Sequence, residues 1–408
     1  MRPATQMSDG INRVLFVTGD RSDVGLIHRL LPEGASRWRP VHATDAASAF
    51  AALDEGPPIH AVALDTSLRG VDGGAFLSEV RERFPRIARF SFSDGAEPVD
   101  GRGWTTTIVL GTISKKATAA EVQSQLDRAT SLHTLITRDA VLGLVGGIDR
   151  LPPLPSTYRR LLQVASNPDT SIREIAEIVE SDPVMTLKVL QLVNSAFFGL
   201  MRRVPTVAGA LSLLGLELLK SLLLAAHVMS AFEKVEVKGF SAERFQLYSM
   251  RVARLAHRFA GSRRLEDEAL TSGILHDIGE LIFALRRPQE FSRVMQRVTE
   301  GGERQCDVEA ELLGANHAEA GACLLASWGI PFSVVECVAF HHTPSAVAGD
   351  GGHVLAAVHA ADALVDIVTC GAPEERLDRA FLERAGFAEE IPKWRAIVED
   401  TAKTWTYY

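Results

Sequence analysis

The chain is 408 residues long, 46% hydrophobic and 23% charged, with a net charge of −8. That length exceeds one ordinary core and implies two or three domains, and the balance is that of a soluble globular protein. Acidic and basic residues interleave, which excludes the basic footprint of direct nucleic-acid binding. No apolar run reaches the roughly 18 residues of a membrane span; the nearest, Leu222 to Phe232, carries His227 and reads as a core helix. The polar N-terminus has no signal-peptide core. Cys306, Cys323, Cys337 and Cys370 form no C-x-x-C pair and read as reduced thiols, so a cytoplasmic location is expected.

After a polar lead-in, short apolar runs alternate with helix-like segments. RVLFVT, PVHAT, HAVALD, IARFSF and TTTIVL read as five strands, with helices from Asp23, over Ala46–Leu53, over Phe76–Phe84 and from Ala117. Strands alternating with helices predict a parallel sheet covered on both faces. Function in such sheets collects at the carboxyl ends of the strands, where Asp65, Ser93 and Lys115 stand.

That trio, with the run LDTSLRGVDGGAFLSEVRERFP, resembles the receiver domain of two-component response regulators over residues 11–130. The resemblance implies that Asp65 accepts a phosphoryl group from a histidine kinase, that Ser93 senses it and that Lys115 pairs with it. Receivers also hold Mg²⁺ with acidic residues after the first strand; here Thr18-Gly19-Asp20 retains at most one of them, Asp20. The stretch GAEPVDGRGW, where a helix belongs, is a poor helix former. Two readings stay open: phosphorylation at Asp65, or a degenerate receiver used for docking or homodimerisation.

From Ala117 to Val145 the pattern is one long helix ending at Gly146-Gly147. Beyond it everything is helical, with no strand pattern from Leu151 to Phe340. Ser171 with Glu174 forms a capping box before Ile172, Ile175, Ile178 and Val179. Asp182-Pro183 starts another helix, whose apolar face carries Leu187, Leu190 and Val193. PTVAGALSLLGLELLKSLLLAAHVMSAF reads as two helices broken near Gly215, with Leu211 to Leu224 in the core and Met201-Arg202-Arg203 in a solvated turn before them. A helix over Leu247–Phe259 buries Tyr248, Val252, Leu255 and Phe259. LTSGILHDIGELIFAL then reads as a mostly buried helix on Ile274, Ile278, Leu281, Ile282 and Leu285, with His276 and Asp277 in its middle. A carboxylate there must be paired, or bound to a metal. The bland alternative is a core histidine and an Asp277 that accepts from a helix N-terminus. After Cys370, Leu377, Phe381, Leu382 and Phe387 predict helices packed on the bundle, before an exposed TWTYY end.

LPPLPSTYRRLL, IAEIVESDPVMTLKVLQLVNSAFFG, VAGALSLLGLELLKSLLL, GILHDIGEL and NHAEAGACLLASWGIPFSVVECVAFHH resemble the HDOD domain, a relative of the HD-domain metal phosphohydrolases. The resemblance implies a ligand set of His276, Asp277, His317, His341, His342 and Asp362 for a divalent ion such as Mn, Fe or Mg, but puts Tyr248 where catalytic relatives have an early histidine. A phenol is a poor ligand at neutral pH, and TPSAVAGDGG stands where the HD-GYP phosphodiesterases carry their Gly-Tyr-Pro loop. The expected organisation is multidomain. It has an α/β doubly wound (receiver or flavodoxin-like) domain over 11–130, a helical connector over 131–149, an all-α HDOD bundle over 150–370 and a helical extension over 371–408. The function expected is a two-component signalling regulator whose non-catalytic HDOD output binds a protein or nucleotide partner. The alternative is a metal-dependent phosphohydrolase acting on a nucleotide or cyclic dinucleotide.

Overall fold

A computed structural model of the chain describes residues 11–19, 22–34, 36–94, 109–145, 156–165, 170–194, 203–232, 237–347, 349 and 352–405. Two compact units emerge, Met1–Thr137 and Arg138–Tyr408.

The first unit runs β1 (Asn12–Val17), α1 (Ser22–Leu30), β2 (Trp38–Ala43), α2 (Ala46–Glu55), β3 (Ala61–Asp65), α3 (Gly73–Arg83), β4 (Ala88–Ser93), β5 (Gly111–Ser114) and α4 (Ala119–Ile136). All strand pairs are parallel, in the order β2-β1-β3-β4-β5, so the winding reverses between β1 and β3. Leu15, Val17, Val62 and Leu64 pack on Ala49 of α2 and on Phe76, Leu77 and Val80 of α3. The alternate residues Val14, Phe16, Ala61 and Ala63 are fully buried as well, as the two-residue period demands of a sheet covered on both faces.

Two expectations need correction. Residues 105–108 of the TTTIVL run, like the GAEPVDGRGW stretch, lie outside the described residues, and the fifth strand is Gly111–Ser114, paired with β4 from Phe90↔Gly111 to Ser93↔Ser114. The long helix expected to Val145 is two helices. α4 starts at a Thr118–Glu121 capping box and stops at Thr137, whose hydroxyl returns to the His133 carbonyl at 2.7 Å. That local bond competes with continued helix.

The second unit is helical: α5 (Asp139–Val145), α6 (Ser156–Ala165), α7 (Ile172–Glu180), α8 (Pro183–Val193), α9 (Val207–Leu214), α10 (Leu216–Phe232), α11 (Ala242–Phe259) and α12 (Arg263–Leu275). It continues with α13 (Ile278–Arg286), α14 (Pro288–Gly301), α15 (Gln305–Leu313), α16 (His317–Ser327), α17 (Phe332–Phe340), α18 (His353–Cys370), α19 (Arg379–Arg384) and α20 (Ile391–Ala402). Its one described β feature is an isolated bridge, Val237↔Phe240.

The Ser171 capping box and the Asp182 cap before Pro183 both form. Gly215, at φ 81°, separates α9 from α10, a conformation glycine adopts without the Cβ penalty. Three leucines and an isoleucine expected inside are exposed instead: Leu187 at 59%, Leu213 at 54%, Ile172 at 51% and Leu285 at 44%. α8 turns Met185, Val189, Leu192 and Val193 inward, so its apolar residues cover more than the one stripe that packs. Met201 and Arg202 lie outside the described residues, and Arg203 is exposed.

α18 is long and apolar enough by composition to cross a membrane, and 67% of its window is buried inside the bundle. α20 packs along α18, and Trp394 stacks on Phe259 at 4.7 Å. Leu377, Phe381 and Leu382 are buried as expected.

His133 of α4 gives the first unit a pH dependence. It is 4% exposed, and its Nε2–H donates to the Pro85 carbonyl at 2.8 Å. Burial, then the nearby Arg89 charge, push its pKa from 6.5 down to about 4, against the opposing pull of the Pro85 bond. The unfolded chain therefore takes up the proton first, and stability falls as pH drops from 6.5 towards 4. The shift amounts to about 3 kcal/mol. Denaturant titrations between pH 7 and 4.5 are expected to show this loss in wild type and a flatter profile in His133→Gln.

Candidate metal centre

In the first unit, the β3 and β5 ends bring Asp65 and Lys115 together. Asp65 is 3% exposed; its Oδ1 accepts from the Ser67 N–H and hydroxyl at 2.8 and 2.7 Å, and its Oδ2 from Lys115 Nζ at 2.8 Å. Burial would raise this carboxyl, but the Lys115 and Ser67 bonds outweigh it and hold it below the usual range. Ser93 ends β4, and its carbonyl accepts from the Lys115 N–H at 2.7 Å. Asp20 lies outside the described residues. An acid the sequence did not single out, Asp23 in the first turn of α1, accepts from Lys115 Nζ at 3.0 Å and from the Thr18 hydroxyl at 2.6 Å. Among the described residues, Lys115 supplies the positive charge facing both carboxylates, bonding Oδ2 of each.

The second unit gathers all six other candidates at one place, and the helices that do so are not those expected. LTSGILHDIGELIFAL is not one helix. α12 ends at Leu275, His276 and Asp277 form the turn, and α13 begins at Ile278. Asp277 takes the N-cap position of α13 yet makes no capping bond; its carboxylate points into the histidines instead, where the helix dipole still favours it.

Close backbone contacts fix this turn. A Cβ on Gly279 would stand 1.9 Å from the His317 carbonyl oxygen, one on Gly321 2.9 Å from Ile278 Cγ2, and one on Gly273 2.5 Å from Ala253 Cα. Glycines therefore let α13 meet α16, and α12 meet α11, at backbone distance.

The contacts within the cluster are short. His276 Nε2 lies 2.9 Å from Asp277 Oδ2 and 3.5 Å from Asp362 Oδ1. Asp277 Oδ1 lies 3.2 Å from His317 Nε2 and 3.4 Å from His341 Nε2. His342 Nδ1 is 3.5 Å from Asp362 Oδ2, and its Nε2 is 2.9 Å from His317 Nε2.

The opposite ring nitrogens are held by other groups: Nδ1 of His276 by the Gly273 carbonyl at 2.8 Å, Nδ1 of His341 by the Val338 carbonyl at 2.9 Å, and Nδ1 of His317 by Glu309 at 2.7 Å. Such outer bonds fix the tautomer and leave Nε2 as the ligand atom. His359, by contrast, is spent on structure: Nδ1–H donates to the His341 carbonyl at 2.7 Å, and Nε2 accepts from the Asp378 N–H at 2.8 Å.

Several groups here carried no sequence signal. Glu309, fully buried, accepts both the His317 N–H and its Nδ1–H. Glu280 accepts from Gln305 at 2.5 Å. Tyr248 is only half-buried, contrary to expectation; its hydroxyl stands 2.7 Å from Asp362 Oδ1 and 2.9 Å from Asp366 Oδ1, and shares its one proton between them.

Despite the short distances, His276 Nε2, His341 Nε2 and Asp277 Oδ1 have no hydrogen-bond partner, because none of the approaches is aligned. Buried polar atoms of native proteins are almost always satisfied. One ligand atom from each of Asp277, His317, His341 and His342 lies within 4.8 Å of the others. Converging imidazole and carboxylate donors, two of these four orphaned and His276 Nε2 orphaned beside them, fit a divalent ion. Burial opposes a charge on His276, but Asp277 and Asp362 outweigh it and raise its pKa to about 10. Burial, with the Asp277 charge, raises Glu280 to about 8.

An α/β sheet unit followed by a helical unit with a His/Asp cluster defines the class of protein. The helical unit carries an HDOD domain: residues 151–344 match that family. An HDOD protein of unknown function from Geobacter sulfurreducens has a crystal structure covering 66% of this chain and 98% of its own, at 24% identity and a TM-score of 0.51. A candidate phosphohydrolase from Shewanella amazonensis covers 66% and 98% at 28% identity and a TM-score of 0.49. An uncharacterized protein of Treponema pallidum is 25% identical over 260 residues, and the chain spans about half the length of that curated relative.

The glycine contacts generate a paired prediction. Gly279→Ala puts a methyl into a backbone carbonyl and is expected to destabilise the helical unit by about 2–3 kcal/mol. Gly143→Ala, in α5 with nothing within 4 Å of the new Cβ, is expected to stabilise it by about 0.5–1 kcal/mol. Chemical denaturation of the two variants reads both signs.

Proposed function

We propose that the HDOD unit holds a divalent ion of the Mn, Fe or Mg class, and that the chain is a signalling regulator in which a receiver-like unit controls this centre. The observation that carries the metal reading is the convergence of His276 Nε2, His341 Nε2 and Asp277 Oδ1, buried and without partners. Asp277, His317, His341 and His342 would hold the ion, with His276 and Asp362 beside them. Such an ion, when bound, acts as a Lewis acid towards phosphoryl oxygens and acidifies a water. The residues' own contribution is a fixed donor set: Glu309, Gly273 and Val338 orient the imidazoles, and burial to 0–7% exposure for His276, Asp277, His317, His341 and Asp362 leaves the cluster open on the side of one cavity. Stoichiometric Mn or Fe in purified protein, lost in Asp277→Ala, is the expected result of elemental analysis. A metal-free wild type that takes up neither ion would sink the reading.

A second reading, a phosphohydrolase acting on a nucleotide or cyclic dinucleotide, is favoured by one observation. A cavity of about 240 Å³ lies against Asp277, His317, His342 and Asp362, with Arg244 and Arg376 in its wall. Turnover of nucleotides by metal-loaded protein, abolished by Asp277→Ala, would establish this reading; tight metal binding without turnover would leave the regulatory one.

For the first unit, the receiver reading is supported by the β2-β1-β3-β4-β5 order, by Asp65 at the end of β3 and by its 2.8 Å bond to Lys115. A histidine kinase would be the natural phosphoryl source and other signalling proteins the partners. The Lys115 and Asp23 pairing favours the degenerate form. Incubation with a small phosphodonor is expected to give little or no adduct by intact mass; a clear adduct abolished in Asp65→Asn would establish phosphorylation instead.

A further inference from the structure

The position of Tyr248 is where the family resemblance implies a histidine ligand, and a phenol is a poor replacement for one at neutral pH. The structure gives this side chain different work. Its ring lies 5.9 Å from that of His276, and its hydroxyl lies between two carboxylates of one helix, Asp362 and Asp366, one turn apart on α18.

The two carboxylates are not equivalent. Asp366 is 15% exposed at its side chain and forms an ion pair with Arg376. Its backbone carbonyl also accepts from the N–H groups of Gly371 and Ala372 at the end of the helix. Asp366 is therefore charge-compensated and fixed. Asp362 is 4% exposed and, among the described residues, forms no ion pair with an arginine or lysine; the imidazole nitrogens His276 Nε2 and His342 Nδ1 both stand at 3.5 Å. At 2.7 Å the Tyr248 hydroxyl makes the short contact to Asp362, and it engages Oδ1 while Oδ2 faces His342. One oxygen pinned in this way stops the carboxylate from rotating about its Cβ–Cγ bond.

We propose that Tyr248 is a positioning residue of the metal centre, its hydroxyl clamping the Asp362 carboxylate against the fixed Asp366–Arg376 pair. The proposal rests on the metal reading given above. In place of a direct ligand, this chain has an outer hydrogen bond that preorganises one. The relay Asp362–Tyr248–Asp366–Arg376 also forms part of the wall of the 240 Å³ cavity, so it lies within reach of solvent and does not need the fold to be opened.

The test is Mn²⁺ titration of the full-length, metal-stripped protein by calorimetry. Removing an outer partner of a ligand typically weakens metal binding by about 10–100-fold, and that loss is expected in Tyr248→Phe with the melting temperature of the metal-free protein unchanged. Mn²⁺ should also perturb the tyrosine ultraviolet difference spectrum of wild type and not of Tyr248→Phe. Equal affinity in wild type and Tyr248→Phe overturns the clamp and leaves the metal reading standing; no Mn²⁺ binding by wild type overturns both. Should Tyr248→Phe fail to fold, Asp366→Asn carries the test from the far end of the relay. It is expected to weaken binding towards the lower end of the same range, about tenfold, and an unchanged affinity overturns the clamp.

Discussion

The centre exists because α13 and α16 touch backbone to backbone at Gly279 and His317. That contact sets where Asp277, two residues before Gly279, can put its carboxylate, and where His317, the first residue of α16, can put its ring. Most helix pairs are held 8–10 Å apart by their side chains; a gap of that kind here would separate the donors. The Gly273–Ala253 contact does the same for α12 and α11, bringing His276 and Tyr248 within ring contact. Backbone geometry precedes chemistry in this unit.

From that constraint the electrostatics follow. A carboxylate at such a contact has little access to water, so its charge is answered by three imidazoles, one from its own turn and two from other segments, at 2.9 to 3.4 Å. The outer groups that hold those imidazoles are mostly backbone carbonyls, which have no charge to lose; Glu309 is the exception. The first unit solves a similar problem differently. There a lysine ammonium lies directly between two carboxylates.

Much of this was legible in the sequence. Alternation of short apolar runs with helical segments foretold the parallel sheet, and the family resemblance, carried onto His276, Asp277, His317, His341, His342 and Asp362, implied a set of residues that lie together in the structure. The break at His276–Asp277 was not legible, since Ile274, Ile278, Leu281 and Ile282 keep helical spacing across a two-residue turn and all four are buried. Glu309 and Asp366 carried no sequence signal, because burial of a single carboxylate depends on tertiary neighbours that periodicity does not encode. Asp23 lay hidden behind Asp20 for the same reason: which acid turns towards Lys115 depends on where α1 starts. Leu187, Leu213 and Leu285 erred in the opposite direction, as apolar residues on helices whose apolar surface exceeds what the bundle covers.

His359 carries a practical consequence. It joins the carbonyl of His341, on the ligand side, to the backbone of Asp378, far along the chain. Asp362, Asp366 and Arg376 likewise lie past residue 344, where similarity to the family ends. The limit of recognisable kinship is thus not a limit of folding. A recombinant fragment trimmed at 344 would retain the His-Asp pair and both later histidine stations. It would lack the helix that supplies their last carboxylate and seals the cluster from behind, so expression work on this region should extend at least through α20.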